Sequence, residues 1–109
     1  MGTFERGQVI TVAFPFSDLS SSKLRPALIL SEAGRGDWLL CQITSQAFGD
    51  ATAIAVQADE VTGAGLQIQS YIRPLKLFTA NENIMRSSRG KLNAQVHSRV
   101  VQTLVNALS

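Results

Sequence analysis

Two short stretches of this 109-residue chain carry side chains suited to phosphate oxygens. The first is Ser17-Asp18-Leu19-Ser20-Ser21-Ser22-Lys23-Leu24-Arg25-Pro26, a polar loop that ends in Arg25 just before an apolar run. Proline restricts the residue before it to extended backbone, which aims the Arg25 guanidinium in a defined direction. Arginine is always charged and presents a planar fork of donors that matches phosphate. Arg25 can equally pair with a nearby carboxylate such as Asp18. The second stretch is Ile43-Thr44-Ser45-Gln46, at the end of a hydrophobic run. Hydroxyls there donate to a phosphate or hold a ribose hydroxyl, or they satisfy backbone groups where a strand turns. Arg73 stands inside an apolar run just before Pro74, where a charge faces either solvent or a site. Lys23, Arg86, Arg89 and Lys91 add positive potential near the loop and the late strand, as scattered surface charges also would.

Other chemistries lose support on residue counts. A single histidine, His97, excludes a two-histidine acid–base pair within one chain, and it sits beside an apolar helical stripe as a boundary residue. A single cysteine, Cys41, excludes a disulfide framework and a multi-cysteine zinc site, and its strand position suits a small buried apolar residue. No phosphate-binding glycine loop, dinucleotide fingerprint or zinc-protease motif occurs, so no cofactor and no metal are expected. Ten Lys/Arg against eight Asp/Glu give a net charge of +2, far from a basic nucleic-acid tail. The N-terminus has no apolar signal region, and no apolar stretch approaches the ~20 residues of a membrane span. The expectation is a cytoplasmic protein with no membrane association.

These residues need a scaffold, and the length suits a single domain over residues 1–109. Short apolar runs separated by turn signals fill the first 80 residues or so. They are Val9 to Phe14, Ala27 to Leu30, Trp38 to Thr44, Ala51 to Val56, and roughly Gln67 to Phe78 with Pro74 inside it. Gly34 and Gly36 are spaced for a hairpin. From Asn93 the pattern changes: Val96, Val100, Leu104 and Leu108 recur every four residues, with Asn93 as an N-cap. Gly90 and the short Lys91-Leu92 stretch are expected to end the strand before it. The reading is α+β, a small antiparallel sheet curled towards a barrel with a C-terminal helix.

Taken in order, Arg6-Gly7-Gln8-Val9-Ile10, Phe14-Pro15-Phe16-Ser17-Asp18, Arg25-Pro26-Ala27-Leu28-Ile29-Leu30, Gln42-Ile43-Thr44-Ser45, Ser70-Tyr71-Ile72-Arg73-Pro74 and Gly90-Lys91-Leu92 resemble the MazF/PemK toxins of type II toxin–antitoxin systems. The resemblance runs from residue 6 through the terminal helix. It implies an SH3-like barrel assembled as a homodimer, and sequence-specific, metal-independent cleavage of single-stranded RNA. It also implies an acidic, partly disordered antitoxin that covers the RNA site. The family's catalytic Arg and hydroxyl fall on Arg25 and Thr44. Asp18, Lys23, Ser45, Gln46 and Arg73 are the expected substrate-binding residues.

Two departures stand out. Leu75 occupies the position where some relatives carry an acidic residue, and the loop before Arg25 differs from the common family stretch. Neither a carboxylate base nor a base preference therefore carries over. Two other readings are a catalytically inactive RNA- or peptide-binding SH3-like module and a gyrase-poisoning CcdB-like toxin. The second needs a Trp-Gly-Ile ending, whereas this chain ends Asn106-Ala107-Leu108-Ser109.

Overall fold

The computed structural model describes residues 4–15, 22–47, 49–63, 65–66 and 68–109. Strands β1 (Gln8–Pro15), β2 (Ser22–Gly34), β3 (Asp37–Thr44), β4 (Ile54–Val56), β5 (Ser70–Asn81) and β6 (Met85–Lys91) are followed by helix α1 (Ala94–Leu108). They form one six-stranded sheet in the order β4-β5-β3-β2-β1-β6, antiparallel throughout. The sheet curls until its two edges are joined by one stretch of chain. The segment just after β4 runs beside β6, with a bridge between Val61 and Leu92. The Thr62 amide donates to the Lys91 carbonyl at 3.0 Å and the Gly65 amide to the Arg89 carbonyl at 2.6 Å. Closure of this kind leaves few unpaired edge groups. The expected curled antiparallel barrel with one C-terminal helix is what the chain forms.

Burial on both faces explains why the strands read as continuous apolar runs. Val9, Leu28, Cys41, Ile43 and Ile72 pack on one face against Val96 and Val100 of α1. Ile10, Val12, Ala27, Ile29 and Leu40 pack on the other with Trp38, Ala80 and Met85. Trp38 is a core residue whose indole N–H donates to a Glu82 carboxylate oxygen at 2.8 Å. The helix begins as its pattern predicts: the Asn93 side chain accepts from the amides of Gln95 and Val96, a cap worth about 1 kcal/mol. No helix among the described residues is long and apolar enough to cross a membrane.

One boundary that bears on the site differs from expectation. β2 is 13 residues long and contains Arg25, so this arginine lies within a strand and not at the end of a loop. The hairpin to β3 turns at Arg35 and Gly36, with φ of 55° and 82°, the left-handed pair that a two-residue loop requires. β6 ends at Lys91, within the Gly90-Lys91-Leu92 stretch expected to end it. A Cβ at Gly90 would lie 1.6 Å from the Thr62 carbonyl oxygen, so its missing side chain is what lets the closing segment approach.

Candidate functional site

Pro26 explains where the cleft opens. β2 and β3 are paired from Ala27↔Gln42 onward, and before Ala27 comes a proline with no N–H to donate. The strands part there, while β2 stays paired to β1 through Pro26↔Thr11 and Val12↔Arg25. Extending the β2–β3 register by two residues brings Arg25 level with Thr44. A cleft of about 530 Å³ occupies the gap. Leu24, Arg25 and Pro26 line it from β2, Ile43, Thr44 and Ser45 from the end of β3, and Thr11 from β1. Leu66, Ile68, Ser70 and Arg89 complete the lining. Two guanidinium groups, three hydroxyls beside Thr44's own, and several apolar side chains thus share one concavity.

The hydroxyls differ in their commitments. Thr44 Oγ1 accepts from the Gln46 amide at 3.2 Å, which leaves the hydroxyl proton to donate elsewhere. Ser70 is buried and donates to the Ile68 carbonyl at 3.1 Å. Ser45 is exposed at the end of the strand. One lone pair of Thr44 thus serves the turn, as the backbone-satisfying reading expects, while Thr44 and Ser45 also line the cleft.

Arg73 has a different setting. Its Nε donates to Asp50 Oδ2 at 2.7 Å, and a terminal nitrogen donates to Gln42 Oε1 at 3.3 Å. The bond from Arg73, with help from the Thr52 hydroxyl and amide, holds the Asp50 carboxyl down at about 2. Arg73 lines a separate depression of about 250 Å³ with Gln42, Lys76, Leu77 and Phe78. Gln46 is not among the cleft-lining residues, although its amide shapes Thr44. Asp18 lies outside the described residues, as does the side chain of Lys23. Leu75 is exposed in β5, within the register shift that separates Cys41↔Leu77 from Gln42↔Arg73. Pro74 occupies the same irregularity, where a missing donor costs the ladder nothing.

The two singular residues stay out of the cleft. Cys41 is buried, and burial pushes its thiol up to about 12, so it is an inert core residue. His97 packs beside Arg6 and Lys91; burial first, then those two charges, lowers its pKa. Among the described residues no three His, Cys, Asp or Glu side chains converge as metal ligands. Thr11, Ser70 and Arg89 do not stand out as site residues by their sequence context. Arg89-Gly90 does contain a usable signal, since a lone glycine inside a strand marks a bulge.

Comparison with known proteins places this geometry. Residues 5–108 match the family model described as PemK-like, MazF-like toxin of type II toxin–antitoxin system. Among solved structures, a MazE–MazF complex from Deinococcus radiodurans superposes with a TM-score of 0.80 at 18% identity, covering 99% of this chain and 97% of that one. An endoribonuclease in complex with its cognate antitoxin, from a mycobacterial species, gives 0.74 at 17% identity, covering 99% and 95%. A MazF toxin of Mycobacterium tuberculosis gives 0.72 at 21% identity, covering 93% and 95%. At these identities the structural likeness speaks for the fold. No curated protein matches by sequence.

Proposed function

Because the chain belongs to the PemK-like, MazF-like toxins of type II toxin–antitoxin systems, we propose that it is an endoribonuclease that cuts single-stranded RNA at a short sequence. The observation that carries this reading is the meeting of Arg25 with Thr44 and Ser45 where β2 and β3 part. The described lining supplies cations and hydroxyls and no carboxylate or imidazole, so the step assigned to it is transesterification by the substrate's own nucleophile. The ribose 2′-oxygen attacks the adjacent phosphorus, the O2′–P bond forms and the P–O5′ bond breaks. The 2′-proton leaves to water, and the 5′-oxygen takes one from water. The products are a 2′,3′-cyclic phosphate and a 5′-hydroxyl.

Charge grows on the non-bridging phosphoryl oxygens during this step. Arg25 stabilises it, a role that needs no proton transfer from a group with a pKa above ~12. Thr44 fixes the phosphate or the 2′-hydroxyl through its remaining hydrogen-bonding capacity, with Ser45 beside it. Asp18 and Lys23, from the segment leading into β2, are proposed substrate contacts on sequence grounds, as is Gln46. Arg73, engaged by Asp50, is assigned to holding the neighbouring strands and not to the RNA.

The partner proteins follow from the same membership. The Deinococcus and mycobacterial relatives are seen in complexes with MazE or a cognate antitoxin. We propose an acidic, partly disordered antitoxin for this chain as well, folding onto the basic cleft, and a homodimer that enlarges the footprint of a small domain.

Cleavage of a mixed-sequence single-stranded RNA in excess EDTA tests the enzyme. Wild type should cut, Arg25→Ala should lower kcat/KM by at least about 10²–10³-fold, and Thr44→Val should lower it less. RNA left intact by wild type, or cut at full rate by a folded Arg25→Ala protein, would overturn the assignment.

A further inference from the structure

The cleft holds a second arginine for which the proposed reaction provides no task. β1 and β6 are paired at Val9↔Gly90 and then at Ile10↔Ser88, so the register passes over Arg89. Arg89 is the extra residue of a β-bulge, a device that re-aims a side chain at the rim of a barrel. Its surroundings set the aim. Gly90 adopts φ 135° and its amide donates to Ser88 Oγ at 3.2 Å. The Gly65 amide donates to the Arg89 carbonyl at 2.6 Å, and Arg89 Nε donates back to the Gly65 carbonyl at 3.1 Å. That bond uses one of the guanidinium's five donors and leaves the terminal nitrogens.

Arg89 is half-buried, and no carboxylate among the described residues pairs with it. A partly desolvated cation in an apolar-walled cleft is unfavourable without a counter-charge, which an incoming anion supplies. Arg25 is rooted in β2 and Arg89 in β6, on either side of β1. Arg25 stands opposite Val12 and Arg89 bulges between Val9 and Ile10, so two strand spacings across β1 and two to three residues along it put the two cations at separate points of the cleft.

We propose that Arg89 binds a phosphate neighbouring the scissile one, so that the site selects a chain with at least two consecutive phosphates over an isolated phosphodiester. The inference rests on the ribonuclease reading and adds to it a residue that determines substrate length. Leu24 and Ile68, 59% and 61% exposed, line the same cleft and offer apolar surface to a base.

The test uses a single-stranded RNA that wild type cuts, with 2′-deoxyribose at the cut nucleotide so that it binds without reacting. Binding is followed by fluorescence anisotropy across a salt series. Arg89→Gln should reduce the slope of log Kd against log salt by about 0.7, the value for one single-strand phosphate contact. Arg89→Lys, which keeps the charge and loses the Gly65 bond, should retain the slope. A neutral methylphosphonate at the neighbouring linkage should weaken wild type and leave Arg89→Gln nearly unaffected. An unchanged slope in folded Arg89→Gln, an Arg89→Lys protein no better than Arg89→Gln, or equal methylphosphonate losses in wild type and Arg89→Gln would overturn the inference. The ribonuclease reading fails by a separate outcome, the absence of any cutting of the all-ribose strand by wild type.

Discussion

Arg25 and Arg73 each precede a proline, and Pro26 and Pro74 each remove a backbone donor from a strand. At Pro26 the missing donor coincides with the end of the β2–β3 ladder, and the space opened there is the cleft. At Pro74 it falls inside an irregular stretch of β5, and the arginine beside it meets Asp50. Identical dipeptides therefore line a cleft in one case and flank an ion pair in the other. The ion pair predicts a pH dependence. The Asp50 carboxyl is lowered from 3.8 to about 2 by the bond from Arg73 and by Thr52, so the folded state binds its proton less readily than the unfolded chain. The stabilisation is fully present above pH 3.8 and is lost as pH falls through about 2. Asp50→Asn should thus be less stable than wild type at pH 7, with the gap shrinking steadily between pH 4 and pH 2 in urea unfolding. A gap that stays constant over that range would mean the Arg73 pair does not stabilise the fold.

At the scale of elements, β6 and the segment after β4 decide the geometry of the far side of the cleft. Beside the bulge at Arg89, Gly90 lets the Thr62 carbonyl come closer than any side chain would permit. Gly34 gives the control. It has a similar left-handed backbone, φ 94° against 135°, yet a Cβ there would touch nothing within 4 Å. Alanine at either position strains the backbone by about 1–3 kcal/mol, but only at Gly90 must the closing segment also move. Gly90→Ala should therefore cost clearly more than Gly34→Ala in chemical denaturation, and it should weaken RNA binding as well. Equal costs for the two substitutions would show that the close approach to Thr62 is not maintained in solution. The C-terminal helix is the contrasting element. Its stripe and its Asn93 cap are local properties, and the helix lies where they predict.

The whole molecule is a small sheet closed on itself by one connecting segment, with a helix over one face. Its apolar surface is not fully absorbed by that closure: outside the cleft, Leu75, Leu77, Val101, Val105 and Leu108 are all at least 40% exposed. That surface supports the homodimer proposed above, since single exposed apolar residues are ordinary and this many on a 109-residue chain call for partners. Static light scattering at micromolar concentration should report twice the chain mass; a stable monomer would remove the dimer. The pairing of Arg25 with Thr44 is what the family resemblance implies, whereas much is legible in the residues alone: the core runs, the Gly34–Gly36 hairpin and the capped helix. Those are short-range signals, in which neighbouring residues share a turn, a strand face or a helical stripe. The length of β2, the pairing of Arg73 with Asp50 and the arrival of Arg89 in the cleft are not legible there. Each depends on the register between strands far apart in the chain, and a single proline or glycine shifts such a register without leaving a periodic trace. The sequence by itself determined which elements form and which side chains have the chemistry for phosphate. Only the tertiary structure decided which cations meet, because a cleft is made where ladders end and bulge, and those points are set by pairing across the sheet.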